Sequence, residues 1–162
     1  MNANPYVTLM RFRAWSTRDL YVVLTGCLNQ VPEPDRTIIL RVLDHIHTVE
    51  DIFRQNLEQR PHAFRAPRSE VIPTLETMQE ASRDLGAWYA DFAAGLSPAQ
   101  LDEPIDFTYS NGEPARMTRG QMLLHVAMHS GGHRGNIAIL LQKNGLTPNR
   151  DRITDYLEAT GG

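Results

Sequence analysis

The sequence predicts an all-α fold: a four-helix bundle with a small hairpin inserted before its last long helix. Four long stretches of helical composition are separated by proline, glycine and asparagine residues. Most of the connections between them are short, as in an antiparallel bundle. One longer connection carries β-favouring residues around an Asn111-Gly112 turn. A chain of 162 residues has the size of one domain, so we treat residues 1–162 as a single unit.

Proline and glycine set the limits of the first three predicted helices. The first covers about residues 5–30, where the sequence VPEP stops it. The second begins at Pro34, a residue suited to a first helical turn, and covers about residues 34–59. The third covers about residues 73–94 and ends at Gly95.

The fourth predicted helix has the clearest ends. Thr118 is followed three residues later by Gln121, the pattern of a capping box. The helix ends at Gly145, just after Lys143. Before it, SPAQL predicts a short capped turn and IDFTYSNGEPARMT predicts the hairpin, so a crossover would fit between Gly95 and Thr118. After it, DRITDYLEAT predicts a last short helix.

Composition excludes several classes of partner. The net charge of −3 and the absence of a basic stripe argue against nucleic acid. No apolar run approaches the roughly 18–20 residues that a membrane span needs. Cys27 is the only cysteine, which excludes an internal disulfide framework and predicts a cytoplasmic protein. Its apolar surroundings, LTGCLNQV, predict a small buried side chain rather than a nucleophile.

Helical phase separates the two histidines of the second helix. His45 lies in a hydrophobic stripe at three- and four-residue steps. The other members of this stripe are Ile38, Val42, Val49 and Ile52. His47 belongs to a different, polar set, together with Asp44, Asp51, Arg54 and Glu58. We therefore expect His45 to point inward and His47 to lie on a solvated face.

Three histidines share one stripe of the fourth helix: His125, His129 and His133. A four-residue step rises about 6 Å, so neighbouring members can bind one ion together. His125 and His133 are about 12 Å apart along the axis, too far to share an ion with bonds near 2 Å. The spacing therefore allows His125 with His129, or His129 with His133.

Three glycines crowd around the second of these pairs. Gly131 and Gly132 lie between the two histidines, and Gly135 follows them directly. Each glycine costs about 0.5–1 kcal/mol relative to alanine in a helix interior. The missing side chains would leave space for an ion, a water and a substrate; the alternative is close packing of helices through small residues. The glycines favour the pair His129 and His133.

Together with His45, this pair offers three imidazole nitrogens from two helices. Three imidazoles buried without a metal would compete for hydrogen-bond partners and would resist protonation. A divalent ion removes that conflict by accepting one lone pair from each ring. Three protein ligands with one open position are typical of catalytic zinc sites, and imidazole also suits nickel, iron and copper.

Five segments resemble the DinB family of DinB/YfiT-like metalloenzymes. The two signature segments are LDHIHTVEDIF, residues 43–53, and MTRGQMLLHVAMHSGGHRGNI, residues 117–137. The others are similar to the first helix of the family, to a loop after its second helix and to the hairpin before its last long helix. They are RFRAWSTRDLY (11–21), RPHAF (60–64) and DFTYSNGEPARMTRG (106–120). The similarity covers nearly the whole chain.

The resemblance implies a four-helix bundle that binds a divalent transition metal, zinc, nickel or iron, through three histidines. By position, these ligands fall on His45, His129 and His133. His125 matches a histidine that often precedes the pair by one turn and is not counted as a ligand.

The last-helix signature matches the family pattern at some positions and departs from it at two others. Arg134 and Gly135 match the His-Arg-Gly of the family. Gly132 stands where many members have histidine or tyrosine, and Asn136 where glutamine is usual. Neither change removes a ligand. The smaller residue at position 132 should widen the pocket.

The predicted site allows more than one chemistry. Three neutral imidazoles would leave the ion doubly positive, which acidifies bound water or a bound thiol. The resemblance favours thiol chemistry, since some members are bacillithiol-dependent transferases or mycothiol-dependent isomerases. We therefore expect an enzyme with a small-molecule substrate, first of all an S-transferase that uses a low-molecular-weight thiol. A metal-dependent hydrolase and a non-enzymatic metal-binding, sensing or stress-response module are the alternatives.

The sequence assigns no catalytic residue. Glu50 is a candidate general base if it reaches inward, and a buried salt bridge, for example to Arg134, is the alternative. Asp44 and Asp51 are predicted to be solvated. His62 and Tyr109 are candidates to line the pocket from loops.

We also expect an isologous homodimer. A bundle of this length can pair its long helices, and dimers are common in the family.

Overall fold

Four long helices form the bundle in the computed structural model, which describes residues 4–161. In chain order the elements are α1 Pro5–Cys27, a 3₁₀ helix Leu28–Gln30, α2 Glu33–Leu57, α3 Leu75–Gly95, α4 Pro98–Leu101, β1 Pro104–Thr108, β2 Pro114–Thr118, α5 Arg119–Lys143 and α6 Ile153–Thr160. The predicted all-α fold, with a hairpin before the last long helix, is confirmed.

Local chemistry sets the helix ends, which differ slightly from the prediction. α1 ends at Cys27 rather than at residue 30 because the next three residues form the 3₁₀ helix. α2 ends at Leu57, and Gln59 then takes a positive φ of 54°, which a continuing helix does not allow. α3 begins at Leu75 rather than at residue 73. Its N-cap is Thr74, whose side chain accepts a hydrogen bond from the Thr77 N–H.

The capping box predicted at the start of the last long helix is present. Thr118 accepts a hydrogen bond from the Gln121 N–H, and the Gln121 side chain accepts one from the Thr118 N–H. Just before this box, β1 and β2 pair antiparallel and close the hairpin at Gly112, which has a φ of 87°. Ile105 of β1 is buried against the bundle, so the hairpin covers one end of the core.

Contacts near the helix ends give the direction of each long helix. Asp35, in the first turn of α2, binds Lys143 at the end of α5, so these helices are antiparallel. The Asn4 side chain donates to the Ala93 carbonyl at the end of α3, so α1 and α3 are antiparallel. Tyr6 lies against Gly120, so α1 and α5 start at the same end of the bundle.

These directions make α2 and α3 parallel neighbours. α1 packs against α3 and α5, and α2 packs against the same two helices, which places α1 and α2 on one diagonal. Residues 58–74 must therefore return along the length of the bundle between α2 and α3, and we call them the crossover segment. The sequence placed a crossover between Gly95 and Thr118, which was wrong: that connection joins helix ends at the same end of the bundle.

The hydrophobic core consists of two separate clusters. The first includes Met10, Phe53, Tyr89, Leu123 and Val126, and the second includes Leu20, Ile39, Met78, Ile137 and Leu141. Buried polar side chains occupy the intervening positions of the same helices. They are Arg13, Ser16 and Thr17 on α1 and Ser130 and Arg134 on α5. A polar layer therefore crosses the middle of the bundle, at the level of His129 and His133. Among the residues described, no helix combines the length and apolar character that crossing a membrane requires.

Candidate metal centre

His45, His129 and His133 come together between α2 and α5 in the polar layer. Each offers one nitrogen such that the three nitrogens lie within 4.8 Å of one another. The Nε2 atoms of His45 and His129 are 3.0 Å apart, and the His133 ring centroid lies 4.7 Å from that of His45. All three side chains are half-buried, so solvent reaches the cluster. The three residues named by the sequence are therefore adjacent in space; we call them the histidine trio.

The backbone of the crossover segment fixes the tautomer of His45. Its Nδ1 lies 2.7 Å from the Pro67 carbonyl oxygen. A carbonyl oxygen can only accept, so Nδ1 carries the hydrogen, and in the neutral ring Nε2 is the nitrogen with the lone pair. That lone pair faces His129. Sequence analysis could not find this contact, because a backbone carbonyl in an irregular segment has no residue-specific signal.

Burial disfavours the charged form of His129 and His133. Desolvation, with smaller contributions from His133, His45 and His125, lowers the pKa of His129 from 6.5 to about 3. Desolvation and the neighbouring His45 also lower the pKa of His133. Neutral rings have a free lone pair each, which is the form that binds a metal.

The geometry of the trio fits one transition-metal ion. Bonds of about 2.0–2.1 Å at tetrahedral angles hold two nitrogens roughly 3.3 Å apart, which is close to the separation of the His45 and His129 Nε2 atoms. The Nδ1 atom of His129 is buried and has no hydrogen-bond partner among residues 4–161. Two lone-pair nitrogens this close need a shared proton or a shared cation between them. The donor set consists of three imidazoles, which suits zinc, nickel or iron.

His125 is part of the same stripe but has a different environment. Its ring stacks on Phe53 with 4.5 Å between centroids, and it lies 5.6 Å from the His129 ring. Burial lowers its pKa as well. Of the two histidine pairs of α5 that the spacing allows, it is His129 with His133 that lies next to His45 in the group of residues that could hold an ion.

Asn136 contacts the trio from the next turn of α5. Its Nδ2 lies 3.3 Å from the Nδ1 of His133, so the side chains form a hydrogen bond at the ring edge. Sequence analysis noted Asn136 only as a departure from the family pattern. The three-residue step from His133 was the signal that could have identified this contact.

The acidic residues of α2 agree with the sequence analysis only in part. Asp44 was expected to be solvated but is buried, because the crossover segment lies over it and the Ser69 N–H donates to its carboxylate. Glu50 does reach inward, but its partner is Arg13 of α1 and not Arg134. Asp51 is partly buried beside Arg54. Glu50 is thus held in an ion pair and does not face the trio as a free base.

The solvated face predicted for His47 is also only partly correct. His47 is half-buried, and its Nδ1 is enclosed without a hydrogen-bond partner. It does not belong to the group of residues that could hold an ion. Its position two residues beyond His45 turns it away from the trio.

The loop candidates for pocket residues lie near the hairpin. His62 Nε2 is 3.1 Å from the Thr108 carbonyl oxygen and lines a cavity of about 260 Å³ between the end of α2 and β1. Tyr109 is exposed and packs edge-on against Phe107. None of the trio lines that cavity. A larger groove of about 790 Å³ lies between α1 and α3 and is also not lined by the trio.

The glycines beside the trio face open space. A Cβ atom added at Gly132 or Gly135 would meet no other atom within 4 Å, and both residues are exposed. At Gly131 it would approach only the Arg134 side chain, at 3.7 Å. Close packing of helices within this chain is therefore not the reason for these glycines. They leave the outer surface of α5 open around positions 132 and 135.

Arg134 follows His133 directly and ties the C-terminal segment to the site helix. It is buried, and its guanidinium donates to both carboxylate oxygens of Asp151, at 2.8 and 3.0 Å. Asp151 also accepts from the Ser16 hydroxyl at 2.6 Å. The Arg134 side chain therefore stabilises the backbone of α5 beside the trio.

Cys27 is remote and half-buried, and desolvation raises the pKa of its thiol, which fits the predicted packing role.

Comparison with known proteins agrees with the segments that suggested a family. Comparison with curated proteins finds no match. Among solved structures, the crystal structure of a DinB-like protein from Bacillus cereus ATCC 10987 matches with a TM-score of 0.63 at 21% sequence identity, over 86% of this chain and 90% of that chain. At that identity the similarity shows the fold. The sequence profile of the DinB family matches residues 28–161, and this chain therefore belongs to the DinB family.

Proposed function

We propose that the protein is a metal-dependent enzyme of the DinB family, in which the histidine trio binds one divalent transition-metal ion. We further propose that it joins a low-molecular-weight thiol, through its sulfur, to a small electrophilic substrate, with loss of the thiol proton and of the leaving group of the substrate. The observation that supports this proposal is the convergence of three imidazoles, from two helices, at a place that solvent reaches. A divalent ion held there would lower the pKa of a bound thiol or water.

The charges around the trio support strong acidification. The group of residues that could hold an ion contains histidines only, so no carboxylate of this group would reduce the charge of the ion. Asp44 directly precedes His45 in the sequence, but its carboxylate accepts hydrogen bonds from Arg41 and from the Ser69 N–H. A cation held by neutral ligands keeps its full charge, which favours the thiolate or hydroxide form of its fourth ligand.

The available bases favour the thiol chemistry over hydrolysis. Attack by water commonly uses a general base within hydrogen-bond reach. The sequence candidate for that role, Glu50, is buried in an ion pair with Arg13. A thiolate is already a strong nucleophile once its proton is lost, so it does not need a further base for the attack.

Metal analysis followed by a thiol screen tests the proposal. The purified protein should contain, or take up, one divalent ion per chain. The loaded protein is then mixed with monochlorobimane and bacillithiol, mycothiol or glutathione in turn. We expect one thiol to give a rate of S–C bond formation, with loss of chloride, above the rate without protein. Stoichiometric metal without any thiol reaction, but with hydrolysis of activated esters, would favour the hydrolase instead.

We also propose that two copies pair through the exposed face of α5. From Gly120 to Gln142 the only charged side chain is Arg134, which is buried, so the exposed positions carry no charge. These positions include Leu124, Met128 and Ile139. A two-fold contact places identical residues near one another, and an uncharged surface avoids repulsion between them.

Mutation of that face tests the dimer. Met128 is 76% exposed, so Met128→Glu should give a monomer by analytical ultracentrifugation if α5 forms the contact. Val71→Glu is the matched control, since Val71 is 81% exposed on the crossover segment. A wild-type protein that sediments as a monomer at micromolar concentration would refute this part of the proposal.

A further inference from the structure

Three consecutive contacts tie α2 to residues 67–69 of the crossover segment. The Asp44 carboxylate accepts a hydrogen bond from the Ser69 N–H at 2.9 Å. The Arg41 guanidinium donates to the Ser69 carbonyl at 2.7 Å and to Asp44 at 3.1 Å. His45 donates from Nδ1 to the Pro67 carbonyl at 2.7 Å. Both backbone groups of Ser69 are therefore held by side chains one turn or less from His45.

The burial of Asp44 makes this arrangement specific. Asp44 is 1% exposed, and a buried carboxylate is costly unless charges and hydrogen bonds compensate for its desolvation. Its Oδ2 receives both the Arg41 guanidinium and the Ser69 N–H. Moving the segment away would leave that carboxylate buried with only part of its compensation. Ser69 is consequently fixed against α2.

The position of Ser69 limits where the Pro67 carbonyl can lie. Two residues of chain span at most about 7 Å, so fixing Ser69 restricts the carbonyl two residues earlier. That carbonyl selects the tautomer of His45 that leaves Nε2 free. A histidine ligand whose other ring nitrogen donates to a fixed acceptor is oriented before any ion binds.

We infer that Asp44 and Arg41 are positioning residues for the metal centre: they hold the crossover segment so that Pro67 orients His45. This inference rests on the proposed metal site and goes beyond it, because neither residue contacts the trio's nitrogens. It also implies a reciprocal effect. If docking of residues 67–69 on α2 strengthens ion binding at His45, then ion binding must stabilise that docking by the same free energy.

Zinc affinity measured by competition with a chromogenic chelator tests the inference. Asp44→Ala should bind Zn²⁺ more weakly than wild type, by up to about 10–100-fold, the range for loss of the outer-sphere partner itself. Asp44→Asn should recover part of the loss, because its amide oxygen can still accept from the Ser69 N–H. The matched control is Asp35→Ala, a buried carboxylate on the same helix whose partners are Lys143 and Asn144. Its affinity should equal that of wild type.

Limited trypsin digestion gives a second readout that does not depend on affinity. Arg65 and Arg68 lie in the crossover segment and precede Ala66 and Ser69, so both bonds can be cut. Zn²⁺ should slow cleavage at these sites in wild type and in Asp35→Ala, and much less in Asp44→Ala. Nitrogen NMR of the His45 ring should show Nδ1–H in wild type and a mixture of tautomers in Asp44→Ala.

The outcomes separate this inference from the proposed function. Wild type that binds no Zn²⁺ would overturn both. Wild type that binds Zn²⁺, together with an Asp44→Ala variant of equal affinity and equal zinc protection, would overturn the positioning role alone. If Asp44→Ala does not fold, Arg41→Ala replaces it, since its side chain is partly exposed and its loss removes the hydrogen bond to the Ser69 carbonyl.

Discussion

Arg13 of α1 and Glu50 of α2 form an ion pair across the diagonal of the bundle, and each side chain is 1% exposed. The Arg13 guanidinium also lies 4.9 Å from the centre of the Tyr89 ring. The Tyr89 hydroxyl donates to the Glu50 backbone carbonyl at 2.6 Å, and burial raises the pKa of Tyr89, so it keeps that proton. A buried cluster of three polar side chains, Arg13, Glu50 and Tyr89, therefore connects α1, α2 and α3.

Breaking this pair from one side should strongly destabilise the fold. Glu50→Ala leaves the Arg13 charge buried without a partner, and the expected loss is about 3–5 kcal/mol of unfolding free energy in a urea titration. The double variant Arg13→Met with Glu50→Leu removes both charges and should lose much less. A double variant that loses as much unfolding free energy as Arg13→Met alone plus Glu50→Leu alone would contradict this account.

Removal of a single ring should separate the trio from the neighbouring histidines. His129→Ala deletes the ring whose Nε2 lies 3.0 Å from that of His45 and should abolish stoichiometric metal uptake, measured by elemental analysis after dialysis. His47→Ala alters a histidine of α2 outside the trio and should leave uptake at one ion per chain. Equal loss in both variants would show that the assignment of faces on α2 is wrong.

Alanine at position 132 should stabilise the protein. Because a Cβ atom there meets nothing within 4 Å, Gly132→Ala should add about 0.5–1 kcal/mol to the unfolding free energy. The control is Gly120→Ala in the same helix, where the added Cβ would lie 2.8 Å from the Tyr6 hydroxyl and should destabilise. If Gly132→Ala also weakens the enzyme, the open space serves the substrate.

Asp35 should make stability depend on acid. Hydrogen bonds from Asn144 and Lys143 lower its pKa below the ordinary value of 3.8. A carboxyl with a lowered folded-state pKa stabilises the fold above its unfolded pKa, and this contribution is lost as pH falls through the folded pKa. The difference in unfolding free energy between wild type and Asp35→Ala should therefore be constant from pH 7 to about pH 5 and shrink below about pH 4. A difference that does not change with pH would exclude this role.

Much of the fold was predictable because its signals are local. The capping box at Thr118, the turn at Gly112 and the helical stretches all depend on residues close in sequence. A four-residue step on one helix allows the pair His129 and His133 as well as the pair His125 and His129, and the neighbouring glycines favoured the first. His45 was chosen by its stripe and by family resemblance. These signals were sufficient to name three residues that the structure brings together.

The errors arose where an irregular segment or a distant helix decides the environment. Asp44 has the spacing of a solvated residue, but residues 67–69 cover it, and periodicity within α2 carries no information about that segment. The partner of Glu50 was sought in the last long helix, whereas topology places Arg13 opposite it. Ile38 belongs to the predicted inward stripe and is nonetheless exposed near the start of α2.

The division of the core into two clusters has a thermodynamic consequence. Met78 and Leu123 are both fully buried but belong to different clusters, with polar side chains at the intervening level. Truncations that share no neighbours add independently. We expect Met78→Ala and Leu123→Ala to cost about 2–5 kcal/mol each and the double variant to show their sum within about 0.5 kcal/mol. Core substitutions would then accumulate independently in the two halves of the protein, because repacking in one half neither compensates for nor worsens a change in the other.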